Sequence, residues 1–126
     1  MQSIKSPDAP EAIGPYSQAI SYKDLIFLSG QIPIDPKTGN IEASTIEGQT
    51  EQVLKNLQAV LSVAGSGLSR ALKCTVFLSD LKDFTAFNKV YGKFFADNPP
   101  ARSTVQVSGL PRNAKIEIDM IASKVL

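Results

Sequence analysis

Histidine and tryptophan are absent from this 126-residue chain, and cysteine occurs once. A Ser-His-Asp triad, a Cys-His pair and the usual zinc ligand sets are thereby excluded, since each needs imidazole or several thiolates. Any chemistry must use Arg, Lys, Asp, Glu, Tyr, Ser, Thr, backbone groups or water. A surplus of either charge is also missing. Thirteen Lys and Arg against twelve Asp and Glu leave a net +1, too little for the broad footprint that nucleic acid or anionic lipid would require. No apolar run approaches the ~20 residues of a membrane span. The opening MQSIKSPDAP has neither a hydrophobic signal core nor an Arg-rich amphipathic pattern. The expectation is a soluble cytoplasmic protein with no membrane partner, a mitochondrial location being left open. Cys74, alternating with Leu72, Val76 and Leu78 in ALKCTVFL, reads as a core thiol suited to a reducing compartment.

What is present fits one domain, residues 1–126, long enough to bury roughly 65–70% of its unfolded surface. Residues 1–15 read as an irregular entry segment, rich in Pro, Ala and Ser. Tyr16 to Tyr22 and the apolar run Leu25 to Gly30 read as a hairpin turned by Lys23-Asp24, and DPKTGN at 35–40 is a turn. Ser44 with Glu47 forms a capping box for a helix carrying Ile46, Val53, Leu54, Leu57, Val60, Leu61 and Ala64, stopped by Gly65. Ala71 to Leu78 is a strand. Asp80 caps a second helix whose Phe84, Phe87, Tyr91, Phe94 and Phe95 share one side, and Asn98-Pro99-Pro100 must end it.

From Pro99 to Ala122 two strands follow, read locally as a hairpin. Arg102, Thr104 and Gln106 alternate against Val105 and Val107, and Lys115, Glu117 and Asp119 against Ile116, Ile118 and Met120. The order ββαβαββ predicts an α+β sandwich, two helices on one face of a mixed sheet, with a parallel right-handed crossover around the second helix. The other face, with Ile121 and Phe27 or Leu25, is left for another subunit to cover.

Arg102 follows two prolines and offers a planar fork for a carboxylate, or else pairs with Asp119 or Asp97. Glu117 could orient or deprotonate water, or be a solvated strand residue. Tyr16 is a phenolic proton donor or a packing residue, and Ser29-Gly30 is a close approach to a ligand or simply a strand end. Lys115 and Asp119 are structural by default. Gly65-x-Gly67 lacks the rest of a phosphate-binding fingerprint.

AIGPYSQAI at 12–20, LIFLSGQIPIDPKTG at 25–39, FNKVYGKFF at 87–95, PARS at 100–103 and KIEIDMIA at 115–122 occur in order and together span most of the chain. In these segments the sequence resembles the reactive intermediate deaminase family, also called Rid or YjgF. The resemblance implies a chorismate-mutase-like fold, a final strand inserted into the sheet instead of the local hairpin, and a homotrimer with sites between subunits. It implies hydrolysis of 2-enamines and 2-imines such as 2-aminoacrylate, 2-iminopropanoate and 2-iminobutanoate to 2-oxo acids and ammonia. Such intermediates come from pyridoxal-phosphate dehydratases, and the resemblance implies no metal or organic cofactor. Carried over by position, Arg102 binds the carboxylate, Glu117 activates water and Tyr16 lines the site, while Ser29, Gly30, Asn88 and Thr104 match ligand-contacting positions.

Two departures stand out: Thr104 occupies a place where many relatives have Cys, and the segment between Phe95 and Pro99 is shorter than in typical bacterial relatives. Two other functions remain to be weighed against the deaminase. One is a non-catalytic trimer binding small carboxylates. The other is RNA cleavage or translation inhibition, which the near-neutral charge and missing histidine disfavour.

Overall fold

The computed structural model describes residues 1–124. Six strands, β1 (Gln2–Ile4), β2 (Ala19–Tyr22), β3 (Leu25–Gln31), β4 (Ala71–Leu78), β5 (Ala101–Gln106) and β6 (Ile116–Ser123), form one sheet. Two helices, α1 (Ile46–Val63) and α2 (Phe84–Phe94), pack on one of its faces. The sheet order is β1-β2-β3-β6-β4-β5, with β4 and β5 parallel and the other neighbours antiparallel. This is the predicted two-layer α+β arrangement with its parallel crossover.

The local hairpin of the last two strands does not form, and β6 lies between β3 and β4 as the family resemblance implies. The side chains explain why. Ile116, Ile118, Met120 and Ala122 are all buried, so β6 belongs among apolar neighbours that satisfy both of its backbone edges. β5, ARSTVQ, is mostly polar and takes the sheet edge. The N-terminal residues are not wholly irregular. Gln2–Ile4 adds an edge strand to β2, with Ile4 buried. β2 itself begins only at Ala19, and the buried side chain of Gln18 just before it accepts from Ser6 N at 2.6 Å and donates to Pro10 O at 2.8 Å, tying the entry segment to the sheet.

Helix α1 starts one residue later than the sequence suggests. Thr45, not Ser44, is its N-cap, with Oγ1 accepting from Gly48 N at 3.1 Å. Tertiary contact decides this register: Gln49 donates to Ala43 O and accepts from Lys115 N, tying the helix start to the approach to β6. The position that a capping glutamate would need is Gly48, where a Cβ would lie 2.9 Å from that of Ala43. Val53, Leu54, Leu57, Val60 and Leu61 are fully buried against the sheet and α2. Truncating one of them, such as Leu57→Ala, should cost roughly 2–5 kcal/mol.

Cys74, Val76 and Leu78 face this core as predicted, but Leu72 is exposed. A register shift between Ala71 and Lys73 inserts an extra residue there and turns Leu72 outward. The aromatic stripe of α2 stacks as expected, with Phe87 to Tyr91 centroids 5.3 Å apart and Tyr91 to Phe95 4.6 Å.

Candidate functional site

Glu117 stands near the start of β6, on the sheet face that carries no helix. Opposite it, β3 is irregular. Leu28 pairs with Met120 and Gln31 with Ile118, so Ser29 and Gly30 together face the single residue Asp119. This bulge presses Gly30 against the Glu117 carboxyl group: a Cβ on Gly30 would come within 2.8 Å of Glu117 Cδ and closer still to Oε2. Only glycine fits. Burial raises the Glu117 pKa above the ordinary carboxylate value, and the neighbouring charge of Asp119 raises it further.

Tyr16, Gly30 and Glu117 line one cavity of about 370 Å³, together with Pro10, Ile13 and Arg112 among others. The loop before β2 brings Tyr16 there. Its hydroxyl accepts from Ile13 N at 3.4 Å, and the Gln18 amide holds the loop's earlier turn. Ser29 does not line this cavity, because its hydroxyl donates to Ser17 O at 2.7 Å and so fastens the Tyr16 loop to β3.

Arg102 lies elsewhere, on edge strand β5 and on the helix-bearing face. Its guanidinium carbon is 4.8 Å from the ring centre of Tyr91, 5.3 Å from Phe87 and 5.6 Å from Phe84. Nη1 donates to Asn88 Oδ1 at 2.8 Å. Among the described residues it makes no ion pair, neither with Asp119 nor with Asp97. An aromatic platform and one amide thus orient the cation without neutralising it, leaving most of its five N–H donors for an anion. Thr104 projects from the same face two residues on, and its buried Oγ1 has no hydrogen-bond partner among the described residues. The Tyr91 hydroxyl also lacks a conventional partner and faces the Cys74 thiol; burial raises the pKa of both groups.

The structure therefore gathers the residues of interest into two groups, Tyr16, Gly30 and Glu117 in one and Arg102, Asn88 and Thr104 in the other. They are on opposite faces. Arg102 is in register with Cys74 and Met120, which point to the helices, whereas Glu117 is in register with Phe77 and Val105, which point away. Strand β4 also separates β5 from β6, adding about 10 Å. Two participants escaped the sequence reading. The aromatic side of α2 was legible as core but not as a seat for Arg102. Arg112, in a segment that reads only as a turn, reaches the Glu117 cavity. Among the described residues no group of three His, Cys, Asp or Glu side chains is placed to hold a metal ion.

Comparison with known proteins relates the chain to one family. The sequence profile of the Endoribonuclease L-PSP family matches residues 6–124. Protein DfrA of Myxococcus xanthus is 51% identical over 123 residues, 96% of this chain and 94% of that one. Reactive Intermediate Deaminase A of Arabidopsis thaliana, a chloroplastic protein, is 48% identical over 95% of this chain and 64% of its own length. Among solved structures, the YjgF gene product of E. coli superposes with a TM-score of 0.95 at 41% identity, covering 99% of this chain and all of that one. E. coli TdcF with bound serine gives 0.94, again at 41% identity and with the same coverage. The match over nearly the whole length, in sequence and in fold, shows that this chain belongs to the Endoribonuclease L-PSP family, also known as YjgF or Rid.

Proposed function

We propose that the protein is a hydrolytic deaminase of 2-enamines and 2-imines, working as a homotrimer in which the Arg102 group of one copy meets the Glu117 group of the next. The observation that carries this reading is the placement of an unneutralised guanidinium and a carboxylate of raised pKa on opposite faces of one sheet. Each is incomplete within its own chain. The Glu117 face also leaves Leu25, Phe27 and Val105 exposed, Phe27 at 42% and Val105 at 44%. That is apolar surface a second copy would cover. Supporting it further are a relative named Reactive Intermediate Deaminase A and a solved neighbour with serine bound.

The chemistry asks little of the protein. Arg102 grips the substrate carboxylate through paired charge-assisted hydrogen bonds and fixes the adjacent C=N carbon. Glu117 accepts a proton from water as the water oxygen bonds to that carbon and the C=N electron pair moves to nitrogen. The same carboxyl group returns that proton to nitrogen to give the carbinolamine. The hydroxyl proton then passes through Glu117 to the amino group as the C–N bond breaks and C=O forms, releasing ammonia and the 2-oxo acid. A 2-enamine enters the same route after tautomerising to the imine by a proton shift from nitrogen to its terminal carbon. A carboxylate with a raised pKa suits both halves of this shuttle, since it gives up a proton near neutral pH less reluctantly than water and takes one more readily than an ordinary glutamate. Tyr16 walls the cavity with a phenol that can hydrogen-bond the departing nitrogen. No residue in this scheme requires imidazole.

The test is ammonia release in an assay coupled to a serine or threonine dehydratase. Wild-type protein should accelerate it, and Arg102→Ala should not. Binding of 2-oxobutyrate without acceleration would instead favour a carboxylate-binding trimer. RNase activity that co-purifies with the protein and disappears in Glu117→Gln would favour the nucleolytic role in the family's other name.

A further inference from the structure

The Glu117 cavity is larger than a three- or four-carbon imine needs, and its excess volume has a definite character. Ile13, Ile32, Ile34 and Pro111 give it apolar walls, and Arg112 lies on its lining with Glu11. Arg112 occupies a strained stretch. It and Asn113 both have left-handed backbone, φ 56° and 58°, a conformation that asparagine adopts readily but that is uncommon for arginine.

Its guanidinium is held by neutral acceptors, Gly39 O at 2.8 Å from Nη1 and Asn40 Oδ1 at 3.4 Å from Nη2. Among the described residues it has no ion-pair partner, so its charge stays unneutralised. Arg112 thus lines the same cavity as the apolar walls and Glu117, while its solvent-exposed guanidinium is anchored at the Gly39-Asn40 turn, beside an adjoining cavity that shares Glu11, Ile13, Ile34 and Arg112 with the first.

We propose that this cavity is a side-chain subsite in which Arg112 determines specificity, selecting 2-imino acids whose side chain is a short aliphatic spacer ending in a carboxylate. This rests on the deaminase reading for its reaction but not for its binding. The isoleucines and Pro111 pack the methylenes, the free N–H donors of Arg112 hold the distal carboxylate, and Arg102 of the neighbouring copy holds the α-carboxylate. Imines of acidic amino acids are the substrates this describes. Glu11 opposes the distal anion, and its charge sets how strong the preference becomes.

Calorimetry with 2-oxoglutarate and 2-oxopentanoate, stable products of the same chain length with and without the second carboxylate, reads the subsite without turnover. The wild-type protein should bind 2-oxoglutarate the more tightly. Arg112→Gln keeps a donor for Gly39 O but removes the charge, and should reduce the ratio of the two affinities about tenfold. Arg112→Lys should restore part of it, and Glu11→Gln should raise it. Equal affinities in the wild type, or a ratio unchanged in Arg112→Gln, would overturn the subsite. Hydrolysis of imines generated from glutamate, norvaline and alanine by flavin amino-acid oxidases separates the two proposals. Acceleration with norvaline and alanine but not glutamate defeats the subsite alone. Acceleration with none of the three defeats the deaminase reading, while the binding ratio still decides the subsite.

Discussion

The Arg102 and Glu117 groups are built in opposite ways. Arg102 is seated on a rigid surface: three aromatic rings of one helix and a single Asn88 amide fix a cation whose charge remains available. Glu117 is squeezed instead, by the bulge at Ser29-Gly30 and by Asp119, so that its charged form is disfavoured. A clamp must stay charged whatever the pH, which a guanidinium does. A proton shuttle must be able to change its charge, which burial and a like neighbour allow. The contrast divides the labour of an imine hydrolysis before any substrate is considered.

Breaking the clamp should have the largest effect. Arg102→Ala is expected to lower kcat/KM by about a thousandfold, from loss of a bidentate charge-assisted anchor at the reacting end of the substrate, as steady-state kinetics will show. Glu117→Gln should follow, with kcat down about a hundredfold and KM little changed, because it removes proton transfer and leaves the anchor intact. The wild-type rate should fall on the acid side as Glu117 protonates, with an apparent pKa above the usual carboxylate range.

The same substitution should separate stability from activity. A folded-state pKa above the unfolded one means that folding is most favourable below the unfolded pKa. That advantage is lost as pH rises through the folded value. At pH 7 the wild type therefore bears the whole penalty. Glu117→Gln should melt slightly higher there by calorimetry and lose its advantage at acid pH, the effect staying small because the group is only half-buried.

Gly30→Ala sharpens the comparison from the squeezed side. The added methyl must displace the Glu117 side chain, so an activity loss of roughly tenfold or more should accompany retained circular dichroism. The smallest effect should come from the seat of the clamp. Tyr91→Phe removes a buried hydroxyl that lacks a conventional partner while keeping the ring under Arg102, so thermal stability should change by less than about 1 kcal/mol and activity by less than about twofold.

Much of this architecture was legible in residue order because local patterns and burial agree. The 3.6-residue spacing from Val53 to Leu61 and the aromatic stripe of α2 specify helices whose apolar sides pack on the sheet and on each other. Alternation in KIEIDM specifies a strand with Glu117 on its polar face. The position of that strand in the sheet was not legible locally, since pairing partners are chosen by burial across the whole chain, and here the family resemblance supplied it. Thr45 displaced Ser44 as cap through the contacts of Gln49, and Leu72 left the core through a bulge, both effects of distant residues. Arg102 and Glu117 could be named from residue type and spacing. Their placement on opposite faces follows from alternation only once the strand order is known. Arg112 had no sequence signal beyond a turn.

Mixing two inactive variants tests the shared site most directly. Arg102→Ala chains lack the clamp but carry Glu117, and Glu117→Gln chains lack the acid but carry Arg102. If each site draws one group from each of two copies, dissociating and reassembling an equal mixture should regenerate about a quarter of the wild-type activity, the fraction of interfaces at which both intact groups meet. Recovery near that level is the predicted result. A reassembled mixture no more active than its two components would contradict a site divided between copies.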